Sequence, residues 1–147
     1  MTRLFLSIDR ARRLFLDRHL LLEPGTGSGK GSDLDTVLGA LGFVQVDSVN
    51  TLARAHDLNL WSRRGRYRPK ALSQAVAHHR SAFEHWTHDA AVIPMPHYPM
   101  WRLKFVRDEA RMKERWTLWR REGWHAEIDK IMRNVAEHGP ASSLDVG

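Results

Sequence analysis

At 147 residues the chain suits one domain, or one and part of a second, and 42% hydrophobic content allows an ordinary core. A net charge of +6, carried mostly by arginine, with a pI near 10.3, is the footprint of a polyanion binder: nucleic acid first, an anionic membrane surface second, a merely soluble basic protein as the plain alternative. The lack of cysteine excludes a disulfide framework and a thiolate metal site, and with neither a signal peptide nor a run of roughly 18 apolar residues, a soluble cytoplasmic protein is expected.

Ser7 can cap a first helix of roughly residues 8–22, in which Ile8, Ala11, Leu14, Phe15 and Leu22 make an apolar stripe; Pro24 and Gly25 stop it. The run at 25–32 has the look of a phosphate loop but fails in detail. Its spacing is one residue short of the P-loop pattern, Gly31 stands where the magnesium-binding hydroxyl belongs, and a helix precedes it instead of a strand. A flexible connector is expected there. Ser32 and Asp35 then form a capping-box-like start to a second helix, with Leu34, Val37, Leu38 and Leu41 at i, i+3, i+4 and i+7 and Gly42 at its end.

The next stretch, Gly42-Phe43-Val44-Gln45-Val46-Asp47-Ser48-Val49-Asn50, reads as a short strand. Alternation puts Phe43, Gln45 and Asp47 on one face and the anchoring Val44 and Val46 on the other. An amide and a carboxylate thus stand side by side. The plain reading is a half-buried strand whose Asp47 or Ser48 caps a third helix, roughly 48–58, carrying Val49, Leu52, Ala53 and His56 on one side. Helix, helix, short strand and helix within 60 residues fit a helix-turn-helix or winged-helix unit, giving a mainly α fold with short β-strands.

Between residues 61 and 70, five cations (Arg63, Arg64, Arg66, Arg68 and Lys70) interleave with Trp61 and Tyr67. Such a run suits a phosphate-binding loop that also offers aromatic surface, or else a solvated face. Pro69 should open a helix through about His79, followed by a strand at 82–87 and an apolar connector at 90–94 that Pro96 and Pro99 keep irregular. A long basic helix follows from about 100 to 122, with Trp101, Phe105, Met112, Trp116 and Trp119. A further helix at 125–138 holds Ile128, Ile131, Met132 and Val135 in 3.6 periodicity. Residues 142–145 look like the cap of another helix, as though the chain were the N-terminal part of something longer. A winged-helix-like domain at 1–98 and a second unit begun at 99–147 are expected. His85 and His88, near Glu84 and Asp89, are the best metal cluster among nine histidines, but no third ligand has motif spacing, so no metal is expected; His88 suits a DNA-facing pocket better.

Three segments together resemble a known family. The run at 42–50 continues into Arg54-Ala55-His56 and Leu60-Trp61-Ser62-Arg63-Arg64-Gly65-Arg66-Tyr67, followed by Phe83-Glu84-His85-Trp86-Thr87-His88-Asp89-Ala90 and Ile93-Pro94-Met95. The pattern is similar to the crosslink-repair winged-helix DNA glycosylases (AlkZ/YcaQ-like) over roughly residues 8–145. It departs from them at His85 and Asp89, where tyrosine and glutamate are expected. The resemblance implies a longer protein in which several winged-helix units and a β-barrel surround alkylated DNA. It also implies a Gln-x-Gln or Gln-x-Asp catalytic motif, carried here by Gln45 and Asp47, and hydrolysis of the N-glycosidic bond of N7-alkylguanine, crosslinked guanine included. Such a base is already cationic and leaves without a general acid, so a carboxylate to stabilise the oxocarbenium-like sugar and an amide to hold water suffice. Arg54, His56, Arg63, Arg64, Arg66, Tyr67, Arg68 and His88 are the implied DNA contacts. The implied partner is double-stranded DNA bearing alkylated or crosslinked guanine, bound by a nucleoid-associated monomer without a cofactor or membrane. A non-catalytic winged-helix DNA binder, with Asp47 a helix cap, and an inactive truncated fragment are the alternatives.

Overall fold

The computed structural model describes residues 5–119 and 124–141. Two compact units divide the chain, Met1–Trp101 and Arg102–Gly147.

The first unit opens with α1 (Ile8–Arg18), where the Ser7 hydroxyl accepts from the Arg10 N–H. It ends four residues earlier than the apolar stripe suggests, because Leu20 turns into the left-handed region at φ 55°. None of its residues is buried, and Ile8, Leu14 and Phe15 face outward. The glycine run after it is no flexible connector. Cβ atoms at Gly25, Gly27 and Gly29 would collide with the backbone of Arg63, the Asp33 carboxylate and the backbone of Tyr67, so this loop lies pressed against the 63–67 turn. Glycine is required there by close approach.

Helix α2 (Ser32–Leu41) buries Leu34, Val37 and Leu38, as its periodicity requires. The expected capping box is absent: Gly31 is the N-cap, no side chain caps the helix, and Asp35 Oδ1 is buried without a hydrogen bond among the described residues. Gly42, at φ 82°, returns its N–H to the Leu38 carbonyl and ends the helix. Strand β1 (Val44–Gln45) follows at once.

Helices α3 (Ala55–Trp61) and α4 (Pro69–Ala77) come next, then a hairpin of β2 (Ala82–Trp86) and β3 (Ala90–Pro94). The helix expected at 48–58 begins only at Ala55. Asp47 Oδ1 accepts the Val49 N–H in an Asx-turn and Asn50 bridges to Arg54, local bonds with which a helix cannot compete. The expected apolar connector at 90–94 is the central strand of an antiparallel sheet of order β1-β3-β2. Ala91, Val92 and Ile93 are all buried, so the strand shows no alternation to read. The order helix, strand, helix, helix, hairpin is winged-helix-like, within a mainly helical chain. Its core packs Leu34, Val37 and Leu38 of α2 and Leu72 and Ala75 of α4 with Val44, Leu60, Ala82 and Val92.

A 3₁₀ turn (Met95–His97) leads into α5 (Tyr98–Trp119), whose opening residues Tyr98 and Trp101 meet Phe83 edge to face. Helix α6 (Trp124–His138) ends at Gly139, φ 88°. The helix start expected at 142–145 lies outside the described residues.

Candidate active site

Strand β1 fixes the motif. Val44 is buried and Val46 packs against the core, which leaves Gln45 on the opposite, exposed face. Pairing continues one residue past the strand through the Val46 N–H and the Ala90 carbonyl (2.8 Å), so Asp47 stands where the chain leaves the sheet. Gln45 Nε2 donates to Asp89 Oδ2 at 3.4 Å. This turns the amide's donor end toward the β2–β3 hairpin and leaves its carbonyl oxygen to accept from a water. Asp89 is itself steadied by accepting the Ala90 N–H at 2.8 Å.

Asp47 is held through its backbone. Its N–H donates to Nδ1 of His56 (3.1 Å), whose Nε2 lies 3.8 Å from Asp57 Oδ2; Asp57 Oδ1 accepts the Tyr67 hydroxyl at 2.7 Å. His56 and Tyr67 are buried, at 6% and 2% exposure. Burial, with the hydrogen bond to Asp57 and its charge, pushes the Tyr67 phenol well above its ordinary range, so it is a permanent donor. The Asp47 carboxylate uses Oδ1 in the turn to Val49, while Oδ2 takes no hydrogen bond among the described residues. One oxygen is fixed and the other open. That geometry suits a carboxylate that orients water or faces a developing cation. Since α3 begins at Ala55, the carboxylate caps no helix, as the plain reading required.

The basic run divides into two groups. Arg63 is 5% exposed, donates to the Asn59 carbonyl (2.7 Å) and side chain, and has burial lowering its pKa. Its Nε has no partner among the described residues. Arg64 Nε reaches both oxygens of Asp33, at 2.9 and 3.1 Å. The same carboxylate accepts the Gly29 N–H at 2.7 Å, clasping the glycine loop to the α3–α4 turn. Burial raises the Asp33 pKa, but these bonds and the Arg64 charge outweigh it and hold the group below its ordinary 3.8. Arg63, Tyr67 and His56 therefore present no surface to DNA and Arg64 is engaged internally, whereas Arg54, Arg66, Arg68 and Lys70 are exposed, as is His88 at the hairpin tip. Composition identifies such cations as a group; only tertiary packing sorts them.

Register adds a residue that spacing alone did not assign. Gln45 and His85 both pair with Ala91, so the three form one cross-strand row. The Trp101 indole N–H donates to His85 Nδ1 at 3.1 Å. Among the described residues no group of three His, Asp or Glu is placed to hold a metal, and no helix is long and apolar enough to cross a membrane. Two clefts flank the motif. One, of about 340 Å³, is lined by Val46, Glu84, His85, Trp86, Ala90 and Ala91; the other, of about 290 Å³, runs past Arg54, His56, Lys70, Ser73 and Glu84.

A family model described as DNA glycosylase AlkZ-like matches residues 38–147, a span that begins within α2 and contains the Gln-x-Asp run, both clefts and the hairpin. No solved structure matches the chain.

Proposed function

Because the chain belongs to the AlkZ-like DNA glycosylase family, we propose that it hydrolyses the N-glycosidic bond of N7-alkylguanine in duplex DNA, crosslinked guanine included, with Gln45 and Asp47 as the catalytic pair. The observation that carries this reading is the state of the Asp47 carboxylate: Oδ1 anchored to Val49, backbone anchored to His56, Oδ2 open. N7-alkylation makes guanine a cation, so the C1′–N9 bond breaks with its electron pair going to the base, which leaves neutral. The sugar is left oxocarbenium-like. Asp47 stabilises that charge and takes a proton from the attacking water, while the Gln45 carbonyl oxygen accepts the water's other hydrogen. Exposed Arg54, Arg66, Arg68, Lys70 and His88 meet the phosphate backbone.

The test is base release from duplex DNA carrying N7-methylguanine, by the chain as given and by Asp47→Asn. Asparagine keeps the Oδ1 acceptor for Val49 and removes only the charge. Release by the wild type and a loss of at least about 100-fold in the variant, with binding retained, is the expected result. Equal release by both would overturn the assignment of Asp47, and binding without release by either would leave a DNA-binding module.

A further inference from the structure

Trp86 closes β2 with its indole 60% exposed, although its backbone is paired in the sheet. Register explains what lies beside it. Trp86 pairs with Ala90, and the Ala90 carbonyl accepts the Val46 N–H, so Val46, Ala90 and Trp86 make the last row of the sheet. The row's middle member offers only a methyl group, which leaves the indole face uncovered and opens the cleft of about 340 Å³. Val46, at its edge, stands between Gln45 and Asp47. Glu84, two residues before Trp86 and on the same face of β2, adds an exposed carboxylate that no described cation pairs with.

A flat apolar floor, an indole wall and a carboxylate form an unusual combination on a basic protein. Phosphate would be repelled by Glu84. A neutral base would gain from stacking but nothing from the charge. The ligand class that gains from both is a planar aromatic cation, because the indole face carries the negative end of its quadrupole and is the best cation–π partner among side chains. We propose that this cleft is the lesion-recognition site, in which Trp86 stacks on, and Glu84 faces, the positively charged ring of an N7-alkylated guanine. The inference rests on the glycosylase reading above, and deepens it: the positive charge that makes the base a good leaving group is also what selects it for binding.

The test separates recognition from catalysis. Equilibrium binding of 7-methylguanosine, of guanosine, and of the uncharged isostere 7-deaza-7-methylguanosine is measured on the wild type, Trp86→Ala, Trp86→Phe and Glu84→Gln, at a pH where the methylated ring is cationic. Thermal melting checks that each variant is folded. The wild type should prefer 7-methylguanosine to both neutral probes by roughly fivefold or more. Trp86→Ala should lose that preference, Trp86→Phe should keep part of it, and Glu84→Gln should weaken the cationic probe alone. Affinity for unmodified duplex DNA should stay within about twofold throughout. A wild type without preference, or a preference unchanged in both Trp86→Ala and Glu84→Gln, overturns the proposal. Preference for the cationic probe in a chain that releases no base would leave this site standing and overturn the glycosylase reading; base release with no preference would do the reverse.

Discussion

The backbone N–H of Asp47 donates to Nδ1 of His56 at 3.1 Å. That bond requires Nδ1 to be unprotonated, so in the neutral ring the proton sits on Nε2, on the side of Asp57. The motif's carboxylate is thus positioned by a buried imidazole, which is steadied in turn by the Asp57–Tyr67 pair on α3 and the turn after it.

Replacing His56 separates positioning from contact with DNA. His56→Asn offers an oxygen close to where Nδ1 lay and should retain most base release, whereas His56→Leu, of similar volume without an acceptor, should lower kcat about 10- to 100-fold and leave duplex affinity within about twofold. Single-turnover kinetics beside equilibrium binding checks this. Loss of affinity with kcat intact would instead make His56 a DNA contact.

Gly29→Ala should destabilise the first unit by about 2 kcal/mol or more. Its φ is +69°, and a Cβ would lie 2.6 Å from the Tyr67 Cα. Gly39→Ala, on the exposed face of α2 with nothing within 4 Å of its Cβ, should stabilise by about 0.5–1 kcal/mol. Urea unfolding of both variants tests the pair, and equal effects of the two would refute the close fit.

What the sequence made legible followed from regular patterns. The spacing of Leu34, Val37 and Leu38 gave α2 and its buried face; alternation around Val44 gave the strand and the outward amide of Gln45. Strand β3 was hidden because Ala91, Val92 and Ile93 are covered on both faces. The helix start was misplaced because the Asp47 carboxylate serves an Asx-turn, and Asx-turns and helix caps draw on the same residues. Arg63 and Arg66 look alike in sequence, and only the neighbouring glycine loop and Asn59 decide which guanidinium is covered.

That difference predicts salt behaviour. Arg66→Ala and Lys70→Ala should each weaken duplex binding uniformly across sequences and reduce the slope of log K against log salt by about 1. Arg63→Ala should leave the slope unchanged and lower the melting temperature. A slope change in Arg63→Ala equal to that in Arg66→Ala would refute the division.

The Asp33 clasp makes stability depend on acid. Burial raises the carboxyl pKa, but the Gly29 N–H and the Arg64 guanidinium outweigh it, so the native value lies below the ordinary 3.8. The unfolded chain therefore binds the proton more readily. The clasp's contribution is present in full above 3.8, declines as pH falls, and is gone below the native value. Asp33→Asn should be less stable near neutrality and show a flatter stability profile in that acid window. Parallel profiles from denaturant unfolding would sink the assignment.

The Trp101–His85 bond has a spectroscopic consequence. The chain has six tryptophans, and the Trp101 indole proton is directed at an imidazole nitrogen. In a nitrogen-15 correlation spectrum that proton should resonate apart from indole protons that face water, and any event that protonates or turns the His85 ring should move it. Because His85 shares a cross-strand row with Gln45, one natural resonance, with no attached probe, reports on the face of the sheet where the motif's amide stands.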